Sequence, residues 1–142
     1  MILVTGASGF VGRNVVKALR TRNKEVRCLV HTPQRAAVIS PYRVELAYGN
    51  ILDLPSLQNA MKGVDTVVHL VATIREKGNA NFDQVNRLGT EMVAQAAVEA
   101  GAKHIVHMSA IGAQEDPTYP YLYSKWQGEQ AVIKSGLSYT IL

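Results

Sequence analysis

Two groups of residues have the types and the spacing to do chemistry. One is Tyr121-Leu-Tyr-Ser-Lys125, a tyrosine and a lysine four positions apart. If a helix opens at Pro120, the two side chains stand on one face, about one turn apart. A phenol titrates at about pH 10 and is a poor base at neutrality, but an ammonium held close stabilises the phenolate. Tyr121 then becomes usable as a proton donor or acceptor for a carbonyl or an alcohol. The neighbouring tyrosines lack this partner, because Tyr119 is followed at the same offset by Tyr123, and Tyr123 by Gln127. The other group is Gly6, Gly9 and Gly12, spaced G-x-x-G-x-x-G. Pyrophosphate is held by free backbone N–H groups at a helix N-terminus, and glycines remove the Cβ atoms that would keep it away.

Both groups need a scaffold, and the apolar pattern supplies one. Residues 1–4 have the length and continuity of a strand buried on both faces, and Val11, Val15, Val16 and Leu19 then recur at helical spacing. Further strands are expected at 25–30, 43–48, 66–72, 104–109 and 137–142. Helices are expected at 33–39, 54–61, 82–100 and from Pro120 towards Lys134. Val85, Leu88, Met92, Val93 and Ala96 give the 82–100 helix its apolar face, and Gly101 ends it. Residues 73–81 are polar and glycine-containing, and are expected to be mobile. Six strands alternating with helices imply an α/β fold, a doubly wound parallel sheet of order 3-2-1-4-5-6 in a single domain over 1–142.

In that architecture the residues just beyond the second strand choose the cofactor, a carboxylate favouring NAD and basic groups NADP. Here they are His31-Thr-Pro-Gln-Arg35. NADP is therefore favoured over NAD, with His31 and Arg35 as phosphate contacts and Arg13 a weaker one. Val71, Ala72 and Thr73, at the end of the fourth strand, lie where the nicotinamide half passes. Ser109 ends the fifth strand and is the first residue there with a direct chemical role.

Composition narrows the alternatives. The 142 residues are 47% hydrophobic and 18% charged, the balance of a globular domain with a real core. The net charge of +4 comes from scattered Lys and Arg, so nucleic-acid binding is not expected. No apolar run approaches the roughly 20 residues of a membrane helix, and no leader precedes Met1, so the cytosol is the expected compartment. The single cysteine, Cys28, lies in an apolar run and reads as a buried thiol. His69, alone in an apolar strand, reads as a packed, hydrogen-bonded side chain, with catalysis as the alternative. No metal site is expected.

The string Thr5-Gly-Ala-Ser-Gly-Phe-Val-Gly12 resembles the short-chain dehydrogenase/reductase superfamily, and Phe10-Val11 points to its extended and atypical branches, the NAD(P)-dependent epimerase/dehydratase-like proteins. Asp65 to Ala72, Val85-Asn86-Arg-Leu-Gly89-Thr90 and the Tyr121 to Lys125 segment are similar to further motifs of that superfamily. The resemblance implies cofactor contacts from Gly6, Ser8, Gly9, Phe10, Val11 and Gly12. It implies that Asn50 and Ile51 hold adenine and that Asn86 places the active-site backbone and its water. Lys125 would bind the nicotinamide ribose as well as tune Tyr121, and Ser109 would polarise the substrate carbonyl. Two departures stand out: Asn50 replaces the usual Asp, and Met108-Ser109-Ala110 carries one hydroxyl where relatives carry two or three.

The implied function is an NAD(P)-dependent oxidoreductase or epimerase/dehydratase, transferring hydride while Tyr121 and Lys125 handle the proton on an unidentified small-molecule substrate. The alternative is a non-catalytic NAD(P)-binding regulatory or structural subunit, like the nucleotide-binding accessory subunit of respiratory complex I. Relatives continue past the sixth strand with Arg-Pro and a C-terminal segment that builds the substrate pocket, which this chain is expected to lack. A homodimer through the two long helices is a further expectation.

Overall fold

A computed structural model describes residues 1–78 and 80–142. Six parallel strands form one sheet in the order 3-2-1-4-5-6, as the alternation of elements predicts. The strands are β1 Ile2–Thr5, β2 Val26–Val30, β3 Glu45–Tyr48, β4 Thr66–His69, β5 His104–His107 and β6 Ser138–Ile141. The helices are α1 Phe10–Thr21, α2 Pro33–Ile39, α3 Leu54–Ala60, α4 Gly89–Glu99 and α5 Pro120–Lys134, with a π-helical segment, Asp83–Leu88, leading into α4.

Both faces of the sheet are covered, which is why its strands read as nearly continuous apolar runs. Alternate side chains serve opposite faces. Leu3, Leu29, Val67 and Ile105 pack beneath α3, α4 and α5 with Leu57, Met61, Val93 and Val132. Val4, Cys28, Val30 and Val68 pack beneath α1 and α2 with Val16, Ala36 and Ile39. Cys28 is fully buried, and burial pushes its thiol up to about 12, so it stays protonated and inert. Among the described residues, no helix is long and apolar enough to cross a membrane.

The register sets Thr5 beside His69, and His69 beside His107, at the C-terminal edge. β1 lies between β2 and β4, so the connections leave it in opposite directions and open a crevice above its end. Local signals place the helices around that crevice. Thr32 caps α2, its Oγ1 accepting from the Arg35 amide at 3.3 Å, and Pro33 and Pro120 occupy first helical positions of α2 and α5.

Three expected elements differ. The fourth and fifth strands stop at His69 and His107 instead of reaching residues 72 and 109, because the shared register with β1 ends at Thr5. The 82–100 helix is not uniform, since its first part is the π-helical segment, a wider turn that carries Asn86 into the interior. Val11, expected on the core face of α1, is 40% exposed, whereas Val16 is fully buried. In the 73–81 stretch, Lys77 and Ala80 exchange backbone hydrogen bonds of 3.0 and 3.1 Å, while Asn79 lies outside the described residues.

Candidate dinucleotide and acid–base site

The turn between β1 and α1 is shaped by what it lacks. Gly6 has φ +73, the left-handed region, and a Cβ there would stand 3.0 Å from the Leu70 carbonyl carbon. A Cβ on Gly12 would lie 2.1 Å from the Gly6 oxygen, so only glycine lets α1 begin this close to the strand end. The Gly9 amide bonds the Gly6 oxygen at 3.0 Å and the Arg13 amide bonds Gly9 at 3.1 Å. Between them the amides of Phe10, Val11 and Gly12 make no hydrogen bond among the described residues, and Gly9 offers no side-chain cap. That leaves a positively polarised helix start with space before it, which fits a pyrophosphate.

Beside this turn runs a groove of about 190 Å³. It brings together Gly6, Ser8, His31, Arg35, Asn50, Ile51 and Val71, all expected cofactor contacts, with Leu29, Val30 and Gly49. No carboxylate lines it among the described residues, and His31 and Arg35 are exposed at its mouth. Asn50 differs in detail from its expected use, because its Oδ1 already accepts from the Leu52 amide at 3.0 Å and keeps one lone pair for a ligand. Ile51 is 7% exposed and chiefly a core residue. Ser56, which sequence reasoning missed, holds this turn by accepting from the Asn50 amide at 3.1 Å and donating to the Asp53 carbonyl at 2.8 Å. Larger grooves, of about 400 and 410 Å³, lie on the outer sides of α3, α4 and α5 and include none of the expected cofactor contacts.

The other side of the crevice is made of buried polar side chains. Asn86 is fully buried, with Oδ1 accepting from the Thr73 amide at 2.8 Å and Nδ2 donating to the Thr73 carbonyl and the Ser124 hydroxyl, each at 3.0 Å. It therefore fixes the backbone beyond β4, where no strand partner remains, and ties it to the start of α5 through Ser124, which donates to the Tyr121 carbonyl at 2.7 Å. Helix α5 comes this near because Gly128 has no Cβ, which would sit 2.8 Å from the Asn86 oxygen.

Behind Asn86 lies a histidine pair. Thr90 gives its hydroxyl proton to the Asn86 carbonyl at 2.7 Å, so it has only lone pairs for His69 Nε2 at 3.1 Å. His69 accordingly carries its proton on Nε2, and Nδ1 accepts from the Thr5 hydroxyl at 2.7 Å. Burial holds the His69 pKa well below the usual value, with the charges of a protonated His107 and of Lys125 adding to the effect. The packed, hydrogen-bonded reading of this residue holds. His107 stacks on it with ring centroids 5.4 Å apart, has no hydrogen-bond partner among the described residues, and is lowered to about 3 by burial and by Lys125.

Lys125 is 1% exposed and its Nζ donates to the Met108 carbonyl at 2.7 Å. Burial lowers its pKa to about 8, against the opposing pull of Glu129. Tyr121 precedes it by one turn on α5, half-buried, with the Phe82 ring 5.6 Å away and tilted by 60°. The Ser109 hydroxyl donates to the Glu129 carboxylate, so its proton is turned to α5 in this structure. Gly9, Phe10, Val11, Ala72 and Thr73 border the crevice without lining the groove. Thr5, Thr90, Ser124, His107 and Glu129 were not foreseen. Glu129 had a usable signal, its four-residue offset from Lys125.

The NAD(P)H-binding family matches residues 6–142. Sterol demethylase protein B of Methylococcus capsulatus is 38% identical over 113 residues, 78% of this chain and 34% of that protein. Ceramide reductase of Caulobacter vibrioides is 32% identical over 132 residues, 93% of this chain and 41% of that protein. The crystal structure of a short-chain dehydrogenase/reductase superfamily protein from Agrobacterium tumefaciens, with bound NAD, superposes at a TM-score of 0.81 and 31% identity, over 99% of this chain and 48% of that one. The chain thus spans less than half the length of each of these proteins. The family match begins at Gly6, in the first β–α turn, and runs to the end of β6, and the chain belongs to the NAD(P)H-binding family, with a structural neighbour in the short-chain dehydrogenase/reductase superfamily.

Proposed function

We propose that the protein is an NAD(P)H-dependent reductase of lipophilic carbonyl compounds, in which Tyr121 delivers the proton. The observation that carries this reading is the buried Lys125 ammonium one helical turn from Tyr121, at the C-terminal edge of the sheet. Below pH of about 8 that ammonium is charged, and a positive charge in a desolvated site stabilises the phenolate left when Tyr121 gives up its proton. When bound, the cofactor supplies hydride to the carbonyl carbon. Asn86 keeps the Thr73 backbone in place, where it would face the nicotinamide half, and the amides at the start of α1 would hold the pyrophosphate. NADP is preferred, supported by His31 and Arg35 at the groove mouth and by the lack of a carboxylate in its lining. The lipophilic substrate class is supported by the names of two relatives, which refer to a sterol and a ceramide, and by Ile74, 71% exposed beyond β4.

A second reading, a non-catalytic NAD(P)-binding subunit, is favoured by the Ser109 hydroxyl being engaged with Glu129 and by Ala110 following it. One comparison separates the two. The full-length protein is incubated with NADPH and a series of long-chain ketones and aldehydes, and NADPH oxidation is followed by absorbance. Tyr121→Phe is expected to lower turnover by roughly 10² to 10⁴ while leaving NADPH affinity nearly unchanged. Undiminished turnover by Tyr121→Phe removes the tyrosine from the mechanism, and binding without turnover of any carbonyl compound favours the second reading.

A further inference from the structure

Tyr121, Lys125 and Glu129 recur every four residues on α5 and so share one face of it. The last two both hold the end of β5. Lys125 donates to the Met108 carbonyl at 2.7 Å, and Glu129 accepts the hydroxyl of the next residue, Ser109. The Ser109 amide is fixed as well, donating to the Leu142 carbonyl at 2.8 Å. Met108 and Ser109 are therefore clamped to α5 at two points one turn apart. Glu129 and Lys125 make no ion pair among the described residues, but they stand one turn apart on the same face of α5, where the carboxylate opposes the burial that drives the lysine towards neutrality.

The other groups packed around Lys125 do not offset it. Tyr121 is on α5 itself, His107 comes from β5 and His69 from β4, and both histidines are neutral at pH 7. The π-helical segment and α4 contribute the uncharged Asn86 and Thr90. Glu129 is the one carboxylate acting on Lys125 among the described residues.

We propose that Glu129 is a positioning residue of the acid–base site, clamping Ser109 to α5 and keeping the buried Lys125 ammonium charged. This rests on the reductase reading for its catalytic consequence, though not for its electrostatics. With its proton given to Glu129, Ser109 faces a ligand as a hydrogen-bond acceptor, so the hydroxyl donor to a substrate oxygen is Tyr121.

The test uses the full-length protein with lysines labelled at Cε with ¹³C, whose resonance reports the charge of Lys125, together with turnover against pH. Glu129→Gln keeps an acceptor for Ser109 and removes the charge. It is expected to lower the Lys125 midpoint by about one pH unit and turnover at pH 8 roughly fivefold, with recovery as the pH is lowered. Glu129→Asp restores the charge and is expected to restore the midpoint. Glu129→Ala, which also frees Ser109, is expected to lose more turnover than Glu129→Gln at every pH. An unchanged Lys125 midpoint in folded Glu129→Gln overturns the proposal, as does equal turnover by the Gln and Ala variants. If the wild type turns over no carbonyl compound and the midpoint still falls in Glu129→Gln, the reductase reading fails and the electrostatic role of Glu129 stands.

Discussion

The two sides of the crevice are built by opposite means. On the β1–β3 side the working parts are backbone amides and empty space, created by Gly6 and Gly12, where added Cβ atoms would meet main chain at 3.0 and 2.1 Å. On the β4–β6 side the working parts are buried polar side chains, with His69 and His107 at 0% exposure and Lys125 at 1%. Steric room, on the first side, is indifferent to pH and intolerant of any added atom. Desolvated ionisable groups, on the second, are indifferent to small changes of volume elsewhere but respond to protons. On the proposed reading, phosphate binding and proton transfer would place different demands on one sheet edge.

The sharpest way to test that contrast is Gly12→Ala, whose single added carbon would overlap the Gly6 oxygen. It is expected to destabilise the fold by about 4 kcal/mol or more, read from urea unfolding, and to do so equally at pH 5 and pH 8. A small loss would mean that the turn can open, and that space is not the organising constraint there.

The opposite signature is expected from the histidine pair. His107 titrates at about 3 in the folded chain and near its ordinary value, 6.5, when unfolded, so the unfolded state binds more protons between those limits. Stability is therefore full above pH of about 6.5 and declines as the pH falls towards 3, by on the order of a few kcal/mol, with His69 adding in the same direction. Urea unfolding at stepped pH measures this. His107→Phe, which removes a group with no hydrogen-bond partner, is expected to flatten the decline.

A smaller effect is expected from Asn86→Ala, which leaves the Thr73 amide and carbonyl without partners. The loss should be about 2 kcal/mol in unfolding, with hydrogen exchange at the Thr73 amide accelerated selectively. The smallest belongs to the groove mouth. Arg35→Ala is expected to weaken NADPH binding roughly fivefold, leave NADH affinity unchanged and shift stability by less than about 0.5 kcal/mol, as calorimetric titration and unfolding would show. Equal effects on both cofactors would remove Arg35 from the choice between them.

How much of this was legible follows the same division. The start of α5 at Pro120 and the span of α2 came from apolar periodicity and proline placement, because those signals act within a few residues of where they are written, and the sheet order followed from the alternation of strands with crossover helices. The glycine turn was legible for the same reason, since three glycines in one turn state their own geometry. The ends of β4 and β5 were not, because a parallel strand stops where its neighbours stop. Nor was the π-helical segment, because Gly89, where it passes into α4, marks a weak point in the helical pattern without stating a wider turn before it.

The polar network lay furthest from view. Thr5, His69, Thr90, His107 and Ser124 come from β1, β4, α4, β5 and α5, and nothing local marks the partners that meet across those elements. Local chemistry wrote the fold, the glycine turn and the Tyr121 to Lys125 spacing into the chain. Which hydroxyl meets which imidazole, and how far Lys125 is driven towards neutrality, depends on desolvation and on contacts up to 64 residues apart, which exist only once the sheet has brought those strands side by side.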